Sequence, residues 1–407
     1  MVPRLLNTCD TVKLHLHRLI SMFDDRQSLN VKNNVNNTNF TIFNGSLGCA
    51  FACLHIAEAV SRSYLHTKEE HLLEWNHELL ELCGTYIQSI SERVKRSPID
   101  RQKHCLSVLN GSDIGQALIT AWLHSKMLRQ QPQENKELRQ ELKQSVEASV
   151  HLIVQRKEDI LSVALTSSEN QNLFEGCAGW LWGLLFLRRT VPESIKIIPL
   201  ELLEKVALHL VACGRLYSHA GAAAAKESSS SKRTSGGSSS SGSSGGSGSL
   251  DSSYIMRLPL MFESNGLKLL GAGKGLIGII FVLLLVVEEM NLVAKDAFNH
   301  VIHEMTVSIS LSVEYLIQSR TLNGNIKKRP EIDSNDDMGW CHGAVGLGLL
   351  FCKCSTVLGS TFEPLRLSSY STIEKERFQT RERFIFEADR CKKFLAYTFV
   401  FILLIDF

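Results

Sequence analysis

The chain has 407 residues, 44% of them hydrophobic and 21% charged, with a formal net charge of +2. That supply of apolar side chains is enough for a core and excludes a wholly disordered chain. The near-neutral balance, with no segment of clustered Lys and Arg, excludes a dedicated nucleic-acid binder, because neutralising phosphates needs such clusters.

The first residues, MVPRLLNTCD, run into Lys13, His15, His17 and Arg18 without an apolar secretory leader, and the eleven cysteines show no regular close spacing. Both features favour a reducing compartment, so a cytoplasmic protein is expected. The Asn-x-Ser/Thr triplets at Asn36, Asn39, Asn44 and Asn110 are then chance matches. Residues 1–40 are expected to form an N-terminal helical segment ahead of a repetitive region.

From Gly45 onward a glycine motif followed by an apolar stretch recurs five times: GSLGCAFACLHIA at Gly45, GSDIGQALITAWL at Gly111, GCAGWLWGLLFL at Gly176, GLIGIIFVLLLVV at Gly275 and GAVGLGLLF at Gly343. The first glycines lie 66, 65, 99 and 68 residues apart. The one long interval contains the Ser/Gly tract SSSSKRTSGGSSSSGSSGGSGS, and removing 222–253 reduces it to 67. Such a tract buries too little apolar surface to offset its ordering entropy, so 222–253 is expected to be a disordered insertion.

Between the motifs lie segments with apolar residues at helical spacing and charges on the other face, as in HLLEWNHELLELCGTYIQSISERVKR from His71 and AKDAFNHVIHEMTVSISLSVEYLI from Ala294. Each unit thus predicts an apolar helix followed by an amphipathic one. Strand signals are scarce, and only eight prolines punctuate the chain. Repeated pairs of this kind bury their surfaces when the apolar helices form an inner ring and the amphipathic ones an outer ring. The expected fold is therefore all-α, an α/α toroid of helical hairpins over 41–407, with all five glycine motifs facing its axis. The Gly-x-x-Gly pattern reads as a device for close backbone packing. Two apolar runs, 275–287 and 394–405, are 13 and 12 residues long, short of the roughly 20 needed to cross a membrane, and are expected to be buried helices.

The fifth copy differs from the rest in carrying Trp340-Cys341-His342 directly before its glycines. A cysteine at a helix start can serve zinc as a thiolate ligand, since the helix dipole and the metal both favour deprotonation. A lone cysteine is also commonly a small buried hydrophobe. Cys352 and Cys354 lie two apart and so on different faces of a helix, which makes them core residues rather than a ligand pair. GAGKG at Gly271 lacks the upstream glycine, the following Ser/Thr and the preceding strand of a phosphate loop.

Trp340-Cys341-His342-Gly343 on the fifth of several helical-hairpin repeats, together with GCAGWLWGLLFLRR and LLGAGKGLIGII, resembles the lanthionine synthetase C-like family, in its eukaryotic branch. The resemblance runs from about Gly45 onward. It implies a toroid of seven hairpins holding one zinc ion on two cysteines and a histidine. Bacterial members add peptide cysteine thiols to dehydroalanine or dehydrobutyrine; eukaryotic ones bind glutathione and add it to such residues. On this resemblance Cys341 is the expected zinc ligand and His342 an expected acid/base. The expected partners are glutathione or a dehydrated peptide, with peripheral association at the plasma membrane left open.

The pattern departs from the family in three places. Where the family has Ala-His-Gly, this chain has Gly273-Lys274-Gly275; Lys274 is the candidate catalytic residue there, able to donate a proton or to pair with a carboxylate. The acid that bacterial members carry before the third motif falls at Asn172, with Glu175 nearby. The second Cys-His-Gly, source of the other two zinc ligands, belongs near position 410, so the zinc site is expected to be incomplete and zinc binding weak or absent. Rival readings are a zinc prenyltransferase-like toroid using Asp336 or Asp337, a glycosidase-like toroid using Glu175 with those aspartates, and a non-catalytic glutathione-binding or signalling scaffold.

Overall fold

A computed structural model describes residues 46–96, 106–110, 113–163, 171–231, 259–264, 266–321, 324–331, 339–361, 382–383 and 385–387. The segment 1–40, Gly45, Gly111, Asp336, Asp337, most of the Ser/Gly insertion and the apolar run 394–405 lie outside the described residues. The chain divides into two units, one of Met1–His104 with Val108–Ser149, the other of Cys105–Ser107 with Val150–Phe407.

In the first unit α1 (Ser46–Thr67) packs on α2 (Glu70–Arg96), and both meet α3 (Asp113–Gln130), which follows a short 3-10 turn at Val108–Asn110. The expected division of labour is visible in the burial. On α2 only one face is covered, through Leu72, Trp75, Leu79, Leu80, Cys83, Tyr86 and Ile90, which recur at the three- and four-residue spacing of a helix stripe. On α3, by contrast, Ile114 to Leu128 is buried on most sides. α4 (Lys136–Val154) crosses from the first unit into the second.

The second unit contains α5 (Lys157–Val163), α6 (Cys177–Thr190), α7 (Leu200–Ser231), α8 (Leu276–Ala294), α9 (Asn299–Gln318) and α10 (Ala344–Thr361). α8 packs against α6, α9 and α10 and is buried continuously from Leu276 to Val287. By length and composition it is the one helix among the described residues able to cross a membrane, and it is mostly buried inside the fold. α9 buries only Val301, Ile302, Met305, Ser308, Ile309, Ser312, Val313 and Leu316, the single stripe its amphipathic pattern predicts. Two isolated bridges, Ser264 with Leu267 and Arg320 with Ile326, are the β-like pairings among the described residues, which contain no strand. The all-α expectation therefore holds. One boundary differs from expectation: α7 continues to Ser231, through a run of four alanines from Ala222. Alanine has the highest intrinsic helix propensity, so the front of the segment expected as loop is helix.

Candidate active site at three helix starts

The Gly-x-x-Gly motifs bring helices onto loops at almost zero clearance. A Cβ at the second glycine would strike the carbonyl of the residue six positions earlier in each of three copies: Gly179 against Leu173, Gly278 against Ala272, and Gly346 against Trp340 at 2.6 Å. Each helix start is thereby pressed over its own preceding loop, and the loops before α6, α8 and α10 become rigid platforms rather than tethers.

The loop before α6 is fixed from below. Asn172 is buried and its Oδ1 accepts the Glu175 N–H at 2.8 Å, while its carbonyl accepts from Gly176 at 3.0 Å. Ser107 Oγ donates to the Leu173 carbonyl at 2.8 Å, and the Leu106 N–H donates to the Glu175 carbonyl at 3.0 Å. Asn172, at the position of the acid that bacterial members carry, is a cap that sets the backbone of Glu175.

These three loops are then joined in series. The Phe174 N–H donates to the Gly273 carbonyl and the Gly273 N–H donates to the Cys341 carbonyl, each at 3.2 Å. Side chains at the two glycines would block the joint: a Cβ at Gly271 would run into the Cys341 carbonyl, and one at Gly273 would lie 2.6 Å from the Phe174 ring. Above this backbone frame Lys274 Nζ donates to Glu175 Oε1 at 2.7 Å, with the two side chains 34% and 37% exposed. The Phe174 and Trp340 rings lie 5.5 Å apart. Cys341 and His342 are half-buried at the same place, directly before α10, where the positive ends of three helix dipoles come together.

The site thus gathers Lys274, Cys341 and His342, all marked in the sequence, and adds Glu175 as the partner of Lys274. Phe174 and Trp340 were not marked as a pair, since nothing in their spacing signals that they meet. Burial pushes the Cys341 thiol above its ordinary range, and among the described residues no three His, Cys, Asp or Glu side chains are grouped so as to hold a metal. Of the two cysteines expected in the core, Cys354 is fully buried but Cys352 is exposed, because a two-residue step turns a helix by about 200°. The stretch before GAGKG is not a strand, and its lysine is engaged by Glu175, so no phosphate loop forms. The aspartates that the prenyltransferase and glycosidase readings need lie outside the described residues.

A helical fold built on Gly-x-x-Gly helix starts, with Trp-Cys-His-Gly at the junction of three of them, is in keeping with the comparison of the chain with protein families. The family model described as lanthionine synthetase C-like protein matches residues 36–373, most of the chain, and the chain belongs to that family.

Proposed function

We propose that the three-loop junction is a thiol-addition site, joining the thiol of glutathione or of a cysteine to a dehydroalanine or dehydrobutyrine residue of a dehydrated peptide. The observation that supports this reading is the backbone series Phe174, Gly273, Cys341, which sets Glu175, Lys274, Cys341 and His342 about one point. In such an addition the S–H bond breaks, an S–C bond forms at the β-carbon, and the resulting enolate takes a proton at the α-carbon. His342 accepts the thiol proton and returns one to the α-carbon. Lys274 and Glu175 flank the same point as a paired ammonium and carboxylate. Cys341 is the residue that would hold a zinc ion here, whose Lewis acidity would favour the thiolate of an incoming thiol; the described residues do not complete a ligand set, so the steps above rest on side chains alone.

The test is incubation of the purified 407-residue chain with glutathione and a dehydroalanine peptide, read by mass spectrometry, with zinc measured on the same preparation. The expected result is one glutathione added per dehydroalanine, at a rate that falls at least tenfold in His342→Ala, the lower end of general-acid/base contributions. Zinc is expected well below one per chain; one tightly held zinc that Cys341→Ala removes would overturn the incomplete ligand set. A second reading is a glutathione-binding or signalling scaffold, in which the junction holds the thiol and no addition follows. Glutathione binding with no adduct would decide for it.

A further inference from the structure

Among the ion pairs of the second unit, two kinds bear on the helix starts. Arg188 with Glu289, Arg189 with Glu288, Lys353 with Glu288 and Arg215 with Glu304 join one helix to another, and in each the cation is at most 17% exposed. Lys274 with Glu175 joins two loops at the helix starts and leaves about a third of each side chain in water. The first kind are staples. The second is open to exchange, because an accessible pair contributes only about 0–1 kcal/mol and parting it strands neither charge.

Resting on the thiol-addition reading, we propose that Glu175 and Lys274 are the selectivity pair for the thiol substrate: they part to receive the free amino-acid head of that substrate, Glu175 taking its α-ammonium and Lys274 its α-carboxylate. The zwitterion matches the pair in charge on both sides, so one internal ion pair is exchanged for two with the ligand and no net charge is buried. The stems of both residues belong to the frame that carries Cys341. Glu175 follows Phe174 and is set by Asn172. Lys274 follows Gly273, whose N–H holds the Cys341 carbonyl. Binding the head group here therefore places the rest of the substrate relative to the Cys341 loop.

Glutathione, through its γ-glutamyl end, and free cysteine both carry such a head. The test is calorimetric titration of the whole chain with glutathione, with glutaryl-Cys-Gly, which lacks the amine, and with 4-aminobutanoyl-Cys-Gly, which lacks the α-carboxylate, beside cysteine and N-acetylcysteine. Each deletion is expected to weaken binding on the order of tenfold, the scale of a hydrogen bond to a charged group. Glu175→Gln should cease to distinguish glutathione from the glutaryl analogue, Lys274→Met should cease to distinguish it from the aminobutanoyl analogue, and Lys274→Arg should keep that distinction. Amine dependence for cysteine alone would assign the zwitterion to cysteine. Glutathione and cysteine bound as well as all of their truncated analogues would overturn the pair's role while leaving thiol addition intact. Failure of both thiols to bind would sink the thiol-addition reading and the inference together.

Discussion

Arg188 donates through Nε to Glu289 Oε1 at 3.1 Å, with the two side chains only 4% and 9% exposed. This contact anchors a five-charge network across the three helices whose starts form the site. Arg189 bonds the other oxygen of Glu289 at 3.1 Å and Glu288 at 2.8 Å, and Lys353 on α10 reaches Glu288 at 2.8 Å. Arg188 also caps the carbonyl of Ile198. Each charge lies within 3.1 Å of an opposite one, which is the condition for burying charges at all.

Removing one partner should therefore cost far more than a surface pair would. Glu289→Ala leaves Arg188 buried without its carboxylate and is expected to lower unfolding free energy by about 3–5 kcal/mol. Urea denaturation followed by circular dichroism measures it. A loss below about 1 kcal/mol, the value of an exposed pair, would mean that the network does not hold these helices together.

Two glycines should respond to the same substitution with opposite signs. At Gly278 an added Cβ meets the Ala272 carbonyl, whereas at Gly84, inside α2, the nearest atom is Leu123 Cδ2 at 4.0 Å. Gly278→Ala is expected to destabilise by about 1–3 kcal/mol through overpacking against backbone that cannot retreat. Gly84→Ala should stabilise by about 0.5–1 kcal/mol by lowering the entropy of the unfolded chain and improving helix propensity. Thermal melts of the two variants compare them directly, and equal shifts would contradict the close approach at Gly278.

His55 gives the first unit a sensitivity to acid. Its ring packs 4.5 Å from Phe51 and 4.8 Å from Trp122, and burial, reinforced by Lys126 and by Arg62 against the opposing pull of Glu58, pushes its pKa from 6.5 down to about 4. The folded state holds this imidazole neutral, while the unfolded state protonates it below pH 6.5. Stability is thus fully present above about 6.5 and drains away as pH falls towards 4, by about 1.4 kcal/mol per pH unit. Denaturation midpoints across that window should fall more steeply for the wild-type chain than for His55→Gln. Parallel curves would show that His55 does not drive the acid loss.

Much of the site could be read before folding was considered. Cys341, His342 and Lys274 stand beside glycines that mark helix starts, and helix starts are legible because glycine placement and 3.6-residue periodicity are properties of neighbouring residues. Asn172 and Glu175 were legible as residues but not as roles. One is a backbone cap and the other faces a lysine 99 positions away, and no local signal distinguishes those fates. Cys352 misled because position on a helix was judged by spacing alone, without knowing which side its neighbours would cover.

Sequence by itself determined the helical class, the pairing of an apolar with an amphipathic helix, and the glycines at the starts of α6, α8 and α10, since each follows from local hydrophobic spacing and backbone freedom. The tertiary structure decided the rest of what matters for function. It pressed Gly179, Gly278 and Gly346 onto carbonyls, linked Phe174, Gly273 and Cys341 through their backbones, and set Lys274 against Glu175 at 2.7 Å. Those contacts join segments of chain far apart in sequence, and their partners are chosen only when the buried faces of α6, α8 and α10 have packed, because packing fixes which loop ends arrive at the same place.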